Sequence, residues 1–143
     1  MQALWGIFKK PIKYVNFEDV QYAIKNPGYY VIINTLPIQE QKCLIRTTIN
    51  YDQEENLMNQ LLSQGINRTI IVYGRNDLDI TVDKKYQQLL SLGFVDIYIY
   101  RGGLFEWLLL QDIYGNSEFN STSKILDILK YRQARTLGTK YLL

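Results

Sequence analysis

Thr69-Ile70-Ile71-Val72-Tyr73-Gly74-Arg75-Asn76-Asp77-Leu78-Asp79-Ile80 decides the fold. Its first five residues form a continuous apolar, β-branched run that stops abruptly at a glycine and a polar turn. A strand buried on both faces reads this way, and such strands belong to parallel sheets. The turn is followed from Thr81 to Leu92 by Val82, Tyr86, Leu89 and Leu90 on one helical stripe, closed by Gly93. Asp79 stands where it can cap that helix.

The same alternation extends in both directions. Upstream, Asp52 to Leu62 carries Leu57, Met58, Leu61 and Leu62 on one face, with Gly65 as the C-cap. Its acids Asp52, Glu54 and Glu55 suit the positive end of the helix dipole. Before it come Tyr29–Asn34, a second buried strand, and a short extended piece, Cys43-Leu44-Ile45. Asn16 is placed to cap a short helix carrying Val20 and Ile24, which Asn26-Pro27-Gly28 ends. Downstream, Asp96–Tyr100 is a further strand, Gly102-Gly103 a tight turn, and Leu104–Ile113 a helix apolar nearly all round. Strands and helices in this order predict a mostly parallel sheet of about five strands, with helices on both faces. Loops at the carboxyl ends of the strands are then the default ligand site, which points to the loop after Tyr73.

The 143-residue chain suits one domain, and 47% hydrophobic content is enough for a core. A formal net charge of +2 is too balanced to predict a nucleic-acid binder. One cysteine, Cys43, excludes an internal disulfide, and the absence of histidine excludes imidazole bases, His-containing dyads and His-ligated metals. We expect neither a metal nor a cofactor. The opening MQALWGIFKK lacks the apolar core of a signal peptide, and no stretch reaches membrane-spanning length. The chain is therefore expected to be cytoplasmic, with the sequons at Asn67 and Asn120 unmodified.

Several strings, in order, resemble the rhodanese-like family. Val31–Pro37 resembles its strand ending in Asp-x-Arg, and Leu44–Asn50 its short His-Ile-Pro-Gly-Ala segment. Ile70–Gly74 resembles the strand that delivers the catalytic cysteine. Ser91-Leu92-Gly93-Phe94, Ile97–Tyr100 and Gly102-Gly103-Leu104 with Trp107 resemble the family's last helix end, strand, double glycine and tryptophan. The resemblance runs from Tyr14 to Ile113. It implies an α/β three-layer sandwich and, for active members, a persulfide carried on a cysteine. In those members loop N–H groups and a helix N-terminus stabilise the thiolate.

The departures point away from catalysis. The cysteine position is Gly74, and no thiol lies in the loop Gly74, Arg75, Asn76, Asp77, Leu78, Asp79. Asp77 and Asp79 face a lone Arg75, and a close like-charge pair is opposed by on the order of 4 kcal/mol at an effective dielectric near 20. The family's Asp and Arg after the first strand are Asn34 and Leu36 here. We therefore expect a catalytically dead module. The alternatives are an atypical sulfurtransferase using Cys43, which has Lys42 and Arg46 nearby, or an anion or nucleotide sensor at the vestigial pocket.

The expected division is an N-terminal arm (1–11), the domain (12–128) and a basic C-terminal tail (129–143). Both ends are rich in anchoring residues: Trp5, Phe8, Lys9 and Lys10 in the arm, and Lys130, Tyr131, Arg132, Arg135, Lys140 and Tyr141 in the tail. These are the expected partner-binding residues of a structural subunit docked in a larger protein assembly. The basic tail suits an acidic surface such as tubulin. The Ile/Asn/Lys/Tyr-rich composition is compatible with a protist genome, which makes cytoskeleton or cilium the expected place.

Overall fold

The computed structural model describes residues 11–138. A two-residue strand, β1 (Tyr14–Val15), leads into helix α1 (Phe17–Lys25), strand β2 (Tyr30–Asn34) and a 3-10 turn at Ile38–Glu40. Helix α2 (Tyr51–Gln64), strand β3 (Thr69–Tyr73), helix α3 (Ile80–Ser91), strand β4 (Ile97–Tyr100) and helix α4 (Gly103–Tyr114) follow. A second 3-10 turn, Ile128–Tyr131, closes the described order.

The sheet is wholly parallel, in the order β1-β4-β3-β2. Among the described residues it has four strands rather than about five. Cys43–Ile45 makes only an isolated antiparallel bridge from Ile45 to Ser121. Thr47 at φ 68° turns the chain at once, and Thr48 then touches Ile32 through one more bridge.

Alternation along the strands sorts the core into two layers. Val31, Ile33, Ile70, Val72, Ile97 and Ile99 pack against Met58 and Leu61 of α2 and Val82, Tyr86 and Leu89 of α3. Ile32, Ile71, Tyr73 and Tyr100 face the opposite way, onto Val20 and Ala23 of α1 and Leu104, Trp107 and Leu108 of α4. The walk from β2 through β3 to β4 puts α2 and α3 on one face. The reverse step from β1 to β2 puts α1 on the other, as right-handed crossovers require.

The helix ends follow the local chemistry. Asn16 and Asp19 form a reciprocal capping box on α1. Gly65 closes α2 in the left-handed region at φ 64°. The apolar α4 buries Leu104, Trp107 and Leu108 but leaves Ile113 and Tyr114 in solvent. Trp107 is fully buried, edge-on to Tyr100 and Phe119, with its indole N–H donating 3.0 Å to the Asn120 carbonyl. Phe119 and Tyr131 belong to the same core layer. The boundary expected after Ile128 therefore falls inside packed structure: the chain returns across the domain as far as Tyr131, which is 1% exposed. Among the described residues no helix is long and apolar enough to cross a membrane.

Candidate functional site

The sheet delivers Tyr73 and Gly74 to its carboxyl edge beside Asn34 of the neighbouring strand. Burial pushes the Tyr73 phenol far up from its ordinary value. Its hydroxyl accepts the Ile45 N–H at 3.1 Å and shares a 2.8 Å hydrogen bond with Thr48, which ties the Ile45–Thr48 segment over the strand end.

Past Tyr73 the loop is occupied by its own side chains. Asp79 caps α3, accepting the Thr81 N–H at 3.0 Å and the Thr81 hydroxyl at 2.6 Å through Oδ1. Its other oxygen reaches back 2.9 Å to the Arg75 N–H. A carboxylate thus fills the place where loop amides and a helix N-terminus could cradle an anion. A Cβ on Gly74 would lie 2.4 Å from Asp79 Oδ2 and 2.6 Å from Val82 Cγ2. On the other side, the Gly74 and Arg75 carbonyls accept the Leu104 and Phe105 N–H groups at 2.9 and 2.8 Å, so the loop backbone caps α4. That approach needs Gly103, at φ 67°, where a Cβ would stand 2.7 Å from the Gly74 carbonyl oxygen.

Arg75 turns outward. Its guanidinium binds Glu40 and the Lys130 carbonyl and lies 5.3 Å from the Tyr131 ring. Asn76 is buried; it accepts the Leu78 N–H at 3.0 Å and donates 2.9 Å to the Tyr131 carbonyl. Asp77 binds Gln133. The two acids expected at the cradle are thus separated, Asp79 inside as a cap and Asp77 on the outer side of the loop, bonded to Gln133 of the returning chain. Asn34 pairs with Gln41 through both ends of its amide and accepts the Leu36 N–H at 3.0 Å. Leu36 lies in the core.

The remaining expected residues divide. Cys43 is 1% exposed, its thiol donating to the Ser123 carbonyl at 3.2 Å. Lys130, Arg132 and Arg135 are exposed. Tyr131, expected as a partner anchor, is turned into the core instead, because its ring joins the apolar layer that holds Leu104, Trp107 and Phe119, with the Arg75 guanidinium over it. Trp5, Phe8, Lys9, Lys10, Lys140 and Tyr141 lie outside the described residues. Sequence reasoning missed Glu40, Gln41 and Gln133, polar residues whose partners are brought close only by the fold. Among the described residues no cluster of Cys, Asp or Glu is arranged to hold a metal.

The model of the rhodanese-like domain family matches residues 18–110 of the chain. Solved structures with a similar fold include a Saccharomyces cerevisiae protein described as a homologue of single-domain rhodanese and the Cdc25 phosphatase catalytic domain. It is 15% identical, with a TM-score of 0.58 over 82% of this chain and 91% of that one. A Bacillus halodurans protein is 19% identical, with a TM-score of 0.57 over 80% and 82%. A single-domain sulfurtransferase of Saccharomyces cerevisiae is 16% identical, with a TM-score of 0.53 over 74% and 96%. No curated protein matches the chain.

Proposed function

This chain belongs to the rhodanese-like domain family, and on that premise we propose that it is a non-catalytic member, a structural subunit docked in a larger protein assembly partly through its ends. The observation that carries the first half is the Asp79 carboxylate packed against Gly74 and held by the Arg75 N–H, the Thr81 N–H and the Thr81 hydroxyl. A nucleophile is missing, and the space and donors that would serve one are taken. An anionic sulfur donor approaching this edge meets a fixed carboxylate, and Arg75 has its charge engaged by Glu40. The burial of Cys43 removes support from a displaced nucleophile, since a reactive thiolate needs access. The filled cradle likewise removes support from an anion or nucleotide sensor.

The docking half is supported by the exposed cations Lys130, Arg132 and Arg135, which suit an acidic partner surface such as that of tubulin in a cytoskeleton or cilium. A thiosulfate–cyanide assay is expected to show no turnover above buffer; robust turnover, lost on Cys43→Ser, overturns the non-catalytic reading. Charge reversal of Lys130, Arg132 and Arg135, combined with Trp5→Ala and Phe8→Ala, is expected to release the protein from its native assembly. Unchanged co-purification would remove the docking role.

A further inference from the structure

A cleft of about 630 Å³ opens between the loop and the returning chain, with Leu78 and Ile80 on one side and Lys130, Arg132 and Ala134 on the other. Its chemistry is lopsided. Leu78 and Ile80 are 67% and 65% exposed, giving paired apolar side chains at its mouth. Three cations line it, Arg75, Lys130 and Arg132, against one carboxylate, Asp79, which faces the α3 side and is hydrogen-bonded by the Arg75 backbone N–H and Thr81 but not neutralised. Of the acids just outside, Asp77 bonds Gln133 and Glu40 pairs with Arg75. Lys130 and Arg132 enter none of the ion pairs among the described residues. The buried Asn76 amide joins the two sides, accepting from Leu78 and donating to Tyr131, so an incoming segment meets a shape that is already set.

We infer that this cleft receives a segment of a partner protein in which carboxylates flank an apolar side chain, the carboxylates meeting Lys130 and Arg132 and the apolar group resting on Leu78 and Ile80. The inference rests on the docking role proposed above and names the chemistry of the partner. Charge complementarity selects the acids, and the apolar wall separates such a segment from a merely anionic one. A phosphate ligand is disfavoured because the α3 N-terminus, the natural seat for it, is already capped by Asp79.

The test is a titration of the isotopically labelled full chain with synthetic peptides, followed by amide chemical shifts. The probe is Glu-Glu-Leu-Glu-Glu; an all-glutamate peptide and Lys-Lys-Leu-Lys-Lys are the comparisons. The probe is expected to shift the amides of Leu78, Ile80 and Arg132, with weaker binding at higher salt. The paired change Lys130→Glu and Arg132→Glu is expected to weaken it about tenfold, as is Ile80→Ser. These side chains are exposed, and an unchanged melting midpoint verifies that the fold is kept; should Ile80→Ser lower it, the charge-reversed protein decides. No shifts, shifts elsewhere, equal binding of the all-glutamate peptide, or affinity indifferent to charge reversal would each overturn the inference. If these fail while tail substitutions still release the protein from its assembly, docking stands and only the cleft is lost. If co-purification is unaffected, the docking role itself falls.

Discussion

Gly74 and Asp79 are mutually exclusive with a thiol at the end of β3: a Cβ on Gly74 would stand 2.4 Å from Asp79 Oδ2 and 2.9 Å from Asp79 Cγ. Asp79 is not a loose side chain able to swing away, since it holds the first turn of α3 and the Arg75 N–H together. The glycine at the end of β3 and the carboxylate in the loop are therefore parts of one arrangement. Restoring a cysteine alone does not reverse it.

Gly74→Cys is expected to give no sulfurtransferase turnover and to lower stability by about 1–3 kcal/mol, the usual cost of overpacking a filled site. Adding Asp79→Ser should recover part of that loss, because it frees the space while keeping a capping oxygen. Urea unfolding of the single and double variants reads the difference. A fully stable Gly74→Cys protein would show that Asp79 yields easily.

Gly103 fixes the other side of the loop. Gly103→Ala puts a Cβ 2.7 Å from the Gly74 carbonyl oxygen, in a backbone conformation at φ 67° that favours glycine. The expected cost is roughly 2–4 kcal/mol from strain and overlap together. Hydrogen exchange at the Leu104 and Phe105 amides, which donate to Gly74 and Arg75, should quicken more than exchange in α2.

What was legible in the sequence was what short-range chemistry decides. Asn16, Gly65 and Asp79 do at their helix ends what their residue types and neighbours imply. The apolar runs of β2, β3 and β4 announce a buried parallel sheet, but Tyr14–Val15 is too short to show any period. Cys43–Ile45 has strand composition, and the turn at Thr47 cuts it to a bridge. The loop's real partners were not legible: Arg75 meets Glu40 and Lys130, and Asn76 meets Tyr131, across long stretches of chain. Tyr131 illustrates the reason. An aromatic among basic residues has the same local pattern whether it anchors a partner or packs inward, and only the closure of the returning chain on the loop decides.

Arg75 holds that returning chain. Arg75→Ala leaves the half-buried Glu40 without its cation and removes the bond to the Lys130 carbonyl. We expect a loss of about 1–3 kcal/mol and faster hydrogen exchange from Ile128 to Gln133, with α2 and α3 unchanged. Protection retained in that segment would show that Tyr131 and Asn76 suffice to hold it.

The buried phenols give the alkaline limit of stability a definite sign. Burial is the largest cause raising Tyr73, Tyr100 and Tyr131, and Tyr131 is pushed up to about 12. In Tyr100 the bond to Glu106 adds to it, 2.6 Å from hydroxyl to carboxylate. An unfolded tyrosine ionises near pH 10, so the folded state binds these protons more tightly than the unfolded one. Their contribution is complete below about pH 10 and is lost as pH rises; for Tyr131 the loss spans about 10 to about 12. Tyr131→Phe should therefore flatten the fall in unfolding free energy across that window while leaving the neutral plateau little changed, because the ring and its contact with Arg75 remain. At the acid end the sign reverses. The Arg101 guanidinium, hydrogen-bonded to Asp83, holds that carboxyl below its usual range, so its contribution is present above about pH 4 and lost on further acidification. The Asp83 side chain is 38% exposed, so solvent screens the pair, and the Asp83→Asn effect should be small and should shrink with salt. Denaturant unfolding across both windows checks the two signs together. An alkaline fall that Tyr131→Phe leaves as steep as before would mean that Tyr131 is not held in the core while it ionises.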